Sequence, residues 1–172
     1  FTTSASYTLA ANVENLTYNG AGNFTGVGNG SDNIITGGAG NDTLSGGGGV
    51  DQLIGGNGAD TINGDAGNDF ITGGAGNDIM NGGAGNDVFL FQTGFGADTI
   101  NGFDANPTGG QDLIDLSAMG ITAANFAAHV VITDLGADTQ ITVDGLYTIT
   151  LIGVNGTGTN VITQQDFILG GG

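Results

Sequence analysis

The 172-residue chain carries 17 acidic residues, one His and no Lys, Arg or Cys, giving a formal charge of −17. Without basic side chains it cannot neutralise phosphates, which excludes nucleic acid as a partner and leaves anionic membrane surfaces repelled. A single His and no Cys make zinc or copper centres unsuited to it, and no apolar run approaches the roughly 20 residues of a membrane span.

The first zone, 1–26, reads as a capping coil of short strands: Ser6-Tyr7-Thr8-Leu9, Glu14-Asn15-Leu16-Thr17-Tyr18 and Asn23-Phe24-Thr25. It starts at Phe1 rather than Met and has no basic stretch leading an apolar one. We therefore expect a fragment or processed product without a cleavable N-terminal signal peptide. Tyr18, like Phe95 further on, is expected to pack in the core or cap rather than to stack on a ligand.

The second zone, 27–101, is periodic. Asp42, Asp51, Asp60, Asp69, Asp78 and Asp87 stand nine residues apart, each closing a glycine-rich hexapeptide and each followed two positions later by a large apolar residue. Written as Gly-Gly-x-Gly-x-Asp-x-U-x, with U apolar, the units start at Gly37, Gly46, Gly55, Gly64, Gly73 and Gly82. An earlier unit is read from Val27, carrying Gly28, Gly30, Asp32 and Ile34, with one extra residue after it. A later unit starts at Thr93 after a two-residue insertion and carries Asp98 and Ile100. Asp65 replaces the second glycine of its unit. A disordered glycine-rich linker would not hold this phase together with an apolar residue in every unit.

Each position has a physical role. Glycines permit positive φ and close backbone approach, as a tight turn with inward carbonyls requires. Those glycines are Gly28 and Gly30, then Gly37, Gly38 and Gly40, Gly46, Gly47 and Gly49, Gly55, Gly56 and Gly58, Gly64 and Gly67, Gly73, Gly74 and Gly76, and Gly82, Gly83 and Gly85. The tripeptide x-U-x is too short for a helix and predicts a brief strand with one residue pointing inward: Ile34, Leu44, Leu53, Ile62, Ile71, Met80, Phe89 and Ile100. Two units make one coil, so alternate units lie above each other at about 4.8 Å. That stacking pairs Asp32 with Asp51, Asp42 with Asp60, Asp51 with Asp69, Asp60 with Asp78, Asp69 with Asp87 and, across the insertion, Asp78 with Asp98. Stacked carboxylates repel, and the chain has no Lys or Arg to set among them. The expected counter-charge is Ca²⁺, held by aspartates and turn carbonyls, because calcium accepts an irregular oxygen cage where Mg²⁺ wants an octahedron and keeps its waters. About six such ions would bring −17 to about −5.

The third zone, 102–172, loses the period. Asp104 and Asp112 are candidates for one further ion. Leu113-Ile114-Asp115-Leu116 predicts a strand, and Thr122 to Ala127 predicts one or two helical turns with Thr122 as N-cap. Val130 to Thr133, Gln140 to Val143 and Tyr147 to Ile152 alternate with period two, with Asp144-Gly145 as a hairpin turn. These three strands are expected to form an antiparallel meander packed on the open end of the solenoid. His129 reads as the start of a strand rather than a catalytic base. Ser31, Ser45 and Ser117 lie in no nucleophile elbow and no H-E-x-x-H occurs, so an enzymatic role for these residues is not expected.

The array resembles the RTX (repeats-in-toxin), or haemolysin-type, calcium-binding repeats. Ala11-Asn12-Val13-Glu14-Asn15-Leu16-Thr17 resembles the segment that opens such arrays. Gly94-Phe95-Gly96-Ala97-Asp98-Thr99-Ile100 and Asp112-Leu113-Ile114-Asp115-Leu116-Ser117 resemble their closing segments, and Asp166-Phe167-Ile168-Leu169 their tails. The resemblance implies an all-β fold, a right-handed parallel β-roll (β-solenoid) with a C-terminal antiparallel β cap. It also implies Ca²⁺ as the cofactor, export by a type I secretion apparatus from an uncleaved C-terminal signal, and a secreted protein of a Gram-negative bacterium. Among parents of such modules we expect a cell-surface protein, S-layer or adhesin-like, with self-association at the surface. The alternative is a secreted protease of the serralysin type, a lipase or an alginate epimerase whose catalytic domain lies upstream. A pore-forming toxin would need upstream apolar helices.

Overall fold

The two halves of each nonapeptide demand different backbones, and the chain coils because they alternate. In the computed structural model, which describes residues 5–106, 110–154 and 161–171, the units wind into two facing sheets. Phe1 and Gly172, the outer bounds expected for the first and last zones, lie outside the described residues. One sheet contains β1 (Ala5–Thr8), β3 (Phe24–Val27), β5 (Thr43–Gly48), β7 (Thr61–Ala66), β9 (Ile79–Asn81) and β11 (Ala97–Asn101), in that order and all parallel. The other runs β2 (Asn15–Thr17), β4 (Ile34–Ala39), β6 (Gln52–Asn57), β8 (Phe70–Ala75), β10 (Val88–Leu90) and β12 (Leu113–Asp115), also parallel. The strands of the central units are six residues long rather than three, because pairing continues through the glycines that follow the apolar residue.

Register stacks the apolar positions into two columns. Leu44, Ile62, Met80 and Ile100 are successive partners in the first sheet, and Ile35, Leu53, Ile71 and Phe89 in the second. All eight are at most 1% exposed, so they meet in a dry seam between the sheets. Each such side chain contributes about 1.5–3 kcal/mol of burial, but only one arrives per nine residues. The core is thin for the backbone it must order.

Ile34 was expected inside and is 45% exposed, whereas Ile35 is fully buried and pairs with Leu53. The first unit is therefore in frame with the others: it starts at Gly28, not Val27, and needs no extra residue.

Glycine is required where coils nearly touch. Gly67 has φ 145°, and a Cβ there would lie 1.6 Å from the Gly49 carbonyl oxygen in the adjacent coil. Asp65 is the exception, a side chain at φ 72° where its neighbours in the stack have glycine. The left-handed conformation costs about 1–2 kcal/mol, and its carboxylate accepts hydrogen bonds from the Ser45 hydroxyl and the Asn63 amide, both 2.5 Å.

The C-terminal zone continues the sheets rather than lying across their end. β15 (Tyr147–Ile152) pairs in parallel with β11, so Leu151 extends the column above Ile100. β14 (Thr139–Val143) and β13 (Val130–Asp134) then add antiparallel strands at the edge. The expected meander exists, but it is hydrogen-bonded into the roll. β16 (Phe167–Ile168) similarly extends the second sheet beyond β12. Asp144 and Gly145 turn the β14–β15 hairpin at φ 54° and 68°. The helix is one turn, α1 (Phe126–His129), preceded by Asn125 rather than starting at Thr122. The Asn125 side chain accepts from the Thr122 N–H at 2.6 Å, which holds 122–125 as a turn. His129 ends that turn instead of starting β13, and its Nδ1 lies 2.5 Å from Asp144 Oδ1. Tyr18 stacks on Phe24 with centroids 4.6 Å apart, and Phe95 is buried against Phe91 and Tyr147. Among the described residues no helix is long and apolar enough to cross a membrane.

Candidate metal centres

The register that stacks the apolar residues also stacks the carboxylates. On one edge, each aspartate N–H donates to Oδ1 of the next coil's aspartate: Asp42 to Asp60 at 2.7 Å, Asp60 to Asp78 at 2.8 Å, and Asp78 to Asp98 at 3.0 Å. On the other edge Asp51 donates to Asp69 and Asp69 to Asp87, both at 2.8 Å. Across the two-residue insertion the Asp78–Asp98 step survives, because the extra residues are taken up before β11 begins.

One carboxylate oxygen is thereby spent on backbone, and the other is not. Oδ2 of Asp42, Asp51, Asp60, Asp69, Asp78, Asp87 and Asp98 is buried and has no hydrogen-bond partner. Buried polar atoms are rarely left this way, and seven alike in register call for a shared partner. Four of the orphaned oxygens, those of Asp42, Asp51, Asp60 and Asp69, share a corner with a backbone carbonyl oxygen. A Cβ on Gly46 would lie 2.3 Å from Asp51 Oδ2 and 2.7 Å from the Gly64 carbonyl oxygen, and the corners at Gly37, Gly55 and Gly64 repeat the arrangement with Asp42, Asp60 and Asp69. An oxygen-seeking cation satisfies a carboxylate and a carbonyl that face the same space, and also neutralises the buried charge.

The electrostatics agree. Burial raises the carboxyl pKa of every ladder aspartate, to about 6 for Asp60 and about 7 for Asp69 and Asp98, with neighbouring ladder carboxylates adding to the rise. Burial likewise raises those of Asp42, Asp51, Asp78 and Asp87. Among the described residues the one side chain able to carry positive charge, His129, lies against Asp144 and not at the columns. Nor do three or more His, Cys, Asp or Glu side chains converge anywhere among the described residues. A centre here would be built from one or two carboxylates completed by backbone carbonyls. That donor set suits calcium, with its tolerance of six to eight oxygens, far better than a nitrogen- or sulphur-seeking metal.

Three expected aspartates stand differently. Asp32 is exposed, and its Oδ1 accepts from Val50 N at 2.7 Å, as Asn41 Oδ1 accepts from Ala59 N. It occupies the position before the ladder, and the ladder position itself holds Asn33, whose N–H donates to Asp51 Oδ1 at 2.7 Å. Counting nine back from Gly37 would have found this; anchoring on the nearest acidic residue hid it. Asp112 joins the second column, its Oδ1 accepting from Asp87 N at 2.9 Å, but its Oδ2 accepts from Asp104 N at 2.9 Å and so is not orphaned. Burial raises its pKa to about 6. Asp104 lies outside the column and accepts from Asn106 N. Gly28 shares the corner geometry with Gly46, whereas Gly30 has open space where its Cβ would be.

The family model of the RTX calcium-binding nonapeptide repeat (four copies) matches residues 18–53, 27–62 and 54–89. Among solved structures, the chain is similar to the AlgE6R2 and AlgE6R3 subunits of the Azotobacter vinelandii mannuronan C5-epimerase. Identities are 27% and 28%, covering 83% and 81% of this chain and 91% and 78% of those, with TM-scores of 0.44 and 0.46. It is also similar to the extracellular lipase LipA of Serratia marcescens, at 17% identity over 93% of this chain and 40% of the lipase, with a TM-score of 0.44. No curated protein matches the chain.

Proposed function

We propose, from the match of residues 18–89 to the RTX calcium-binding nonapeptide repeat, that the chain is a calcium-triggered folding and export module. It stays unfolded where calcium is scarce, passes a type I secretion apparatus in that state, and folds outside on binding Ca²⁺. The observation that carries this reading is the set of seven orphaned, buried carboxylate oxygens in a chain with no Lys or Arg. Aspartates 42, 51, 60, 69, 78, 87 and 98 supply the charge and the glycine turns supply the carbonyls. Calcium, when bound, supplies the positive charge that lets these carboxylates stay buried and ionised. The ladder aspartates do no further chemistry, and the module serves a protein displayed on the cell surface, S-layer or adhesin-like. The basis for that last step is composition: a glycine-rich, strongly acidic chain without a single basic residue.

Export is tested by appending the chain to a reporter in a bacterium equipped with a type I apparatus. The expected result is reporter in the medium, resistant to protease only when calcium is present, and retention in the cell when residues 161–172 are removed. Equal export with and without that segment would count against a C-terminal signal.

A further inference from the structure

We infer that Asn33 is the stop that ends the cation column on its edge of the roll, a neutral residue built into a corner where the later coils hold an aspartate. The inference rests on the calcium reading above. Asn33 stands 18 residues before Asp51, the same step that separates Asp51 from Asp69 and Asp69 from Asp87. It is 1% exposed. The corner is formed as elsewhere: a Cβ on Gly28 would lie 2.4 Å from Asn33 Oδ1 and 1.9 Å from the Gly46 carbonyl oxygen.

What differs is how the side chain is satisfied. Asn33 Oδ1 accepts the Asn29 N–H at 2.7 Å, whereas Oδ2 of Asp51, Asp69 and Asp87 accepts nothing. Its Nδ2 faces acceptors, the Val13 carbonyl oxygen at 3.4 Å and Asn29 Oδ1 at 3.5 Å. Asn29 in turn donates from Nδ2 to the Ala10 and Val13 carbonyl oxygens at 2.9 and 2.8 Å. The Asn29–Asn33 pair thus closes the first corner with hydrogen bonds to the N-terminal loop. A cation placed there would meet an uncharged oxygen already bonded to an N–H, beside an amide NH₂ that repels it. The opposite end of the column is closed by different means: Asp112 spends both oxygens on N–H groups, those of Asp87 and Asp104. Between the two stops, Asp51, Asp69 and Asp87 keep their orphaned oxygens. A neutral amide at the first coil avoids leaving a buried charge with ligands from only one side.

The test is a calorimetric calcium titration of the whole chain and two variants, paired with thermal unfolding in calcium. Asn33→Asp restores the charge and the free oxygen, so it is expected to bind one more ion than wild type and to gain more thermal stability from calcium. Asn33→Ala is expected to keep the wild-type ion count while melting earlier, since it loses hydrogen bonds but no ligand. An unchanged count in Asn33→Asp overturns the inference, and so does one ion fewer in Asn33→Ala, which would make Asn33 a ligand. Wild type that binds no calcium at all defeats the underlying calcium reading instead.

Discussion

Asp69→Ala is expected to weaken calcium affinity at its site by about tenfold or more, while Asp32→Ala changes it by less than about twofold. Asp69 lies mid-column, fully buried, with its Oδ1 accepting from Asp51 N and its own N–H donating to Asp87 Oδ1. Removing its carboxylate deletes a ligand charge and orphans the Asp51 N–H together, so the loss reaches two coils. Asp32 is exposed and lies outside the ladder, so its only loss is the bond from Val50 N. Asp69→Asn separates the two contributions, since the amide can still accept from Asp51 N but lacks the charge, as Asn33 does. Calorimetric titration of the three variants decides the matter. Comparable losses in Asp32→Ala and Asp69→Ala would contradict the column geometry.

Lowering the pH should partly replace calcium. The ladder carboxyls have folded pKa values raised by burial, from 3.8 to about 6 for Asp60 and Asp112 and about 7 for Asp69 and Asp98. A raised carboxyl pKa means the calcium-free folded chain holds protons that the unfolded chain releases. Stability of that form is therefore greatest below 3.8 and is lost as pH rises through about 6 to about 7. The calcium-free chain is expected to show more β structure by circular dichroism at about pH 5 than at about pH 7.5. Calcium binding between those values should release protons, because Ca²⁺ and H⁺ compete for the same oxygens. A calcium-free chain whose β content ignores pH over this range would show that the buried carboxylates do not limit folding.

Much of the fold was legible because the repeat couples period to geometry. A nine-residue spacing and one apolar residue per unit fixed the register of Leu44 on Ile62 and Leu53 on Ile71, and with it both aspartate columns. The reading slipped where a unit departs from consensus. Asn33 occupies an aspartate position beside an acidic neighbour, and choosing Asp32 moved Ile34 inward in place of Ile35. The place of Asp112 was not legible, since it stacks on Asp87 from 25 residues away, beyond the last periodic unit. The C-terminal strands were recognised from alternation, but alternation carries no partner information. That Tyr147–Ile152 pairs in parallel with Ala97–Asn101 is a tertiary choice, which keeps Leu151 in the apolar column above Ile100. The one-turn helix was placed too early for a local reason: the Asn125 side chain takes the Thr122 N–H and makes a turn where a helix start was read.

On the proposed function, calcium rather than the thin apolar seam makes this fold stable at neutral pH. The most direct test is a titration of Ca²⁺ into the chelator-treated chain at neutral pH, following far-ultraviolet circular dichroism and bound calcium in the same samples. The expected result is a disordered spectrum without calcium, a β spectrum that grows in step with the uptake of several ions per chain, and reversal on adding chelator. A chain already β-folded in chelator, with a spectrum and melting temperature indifferent to calcium, would contradict it.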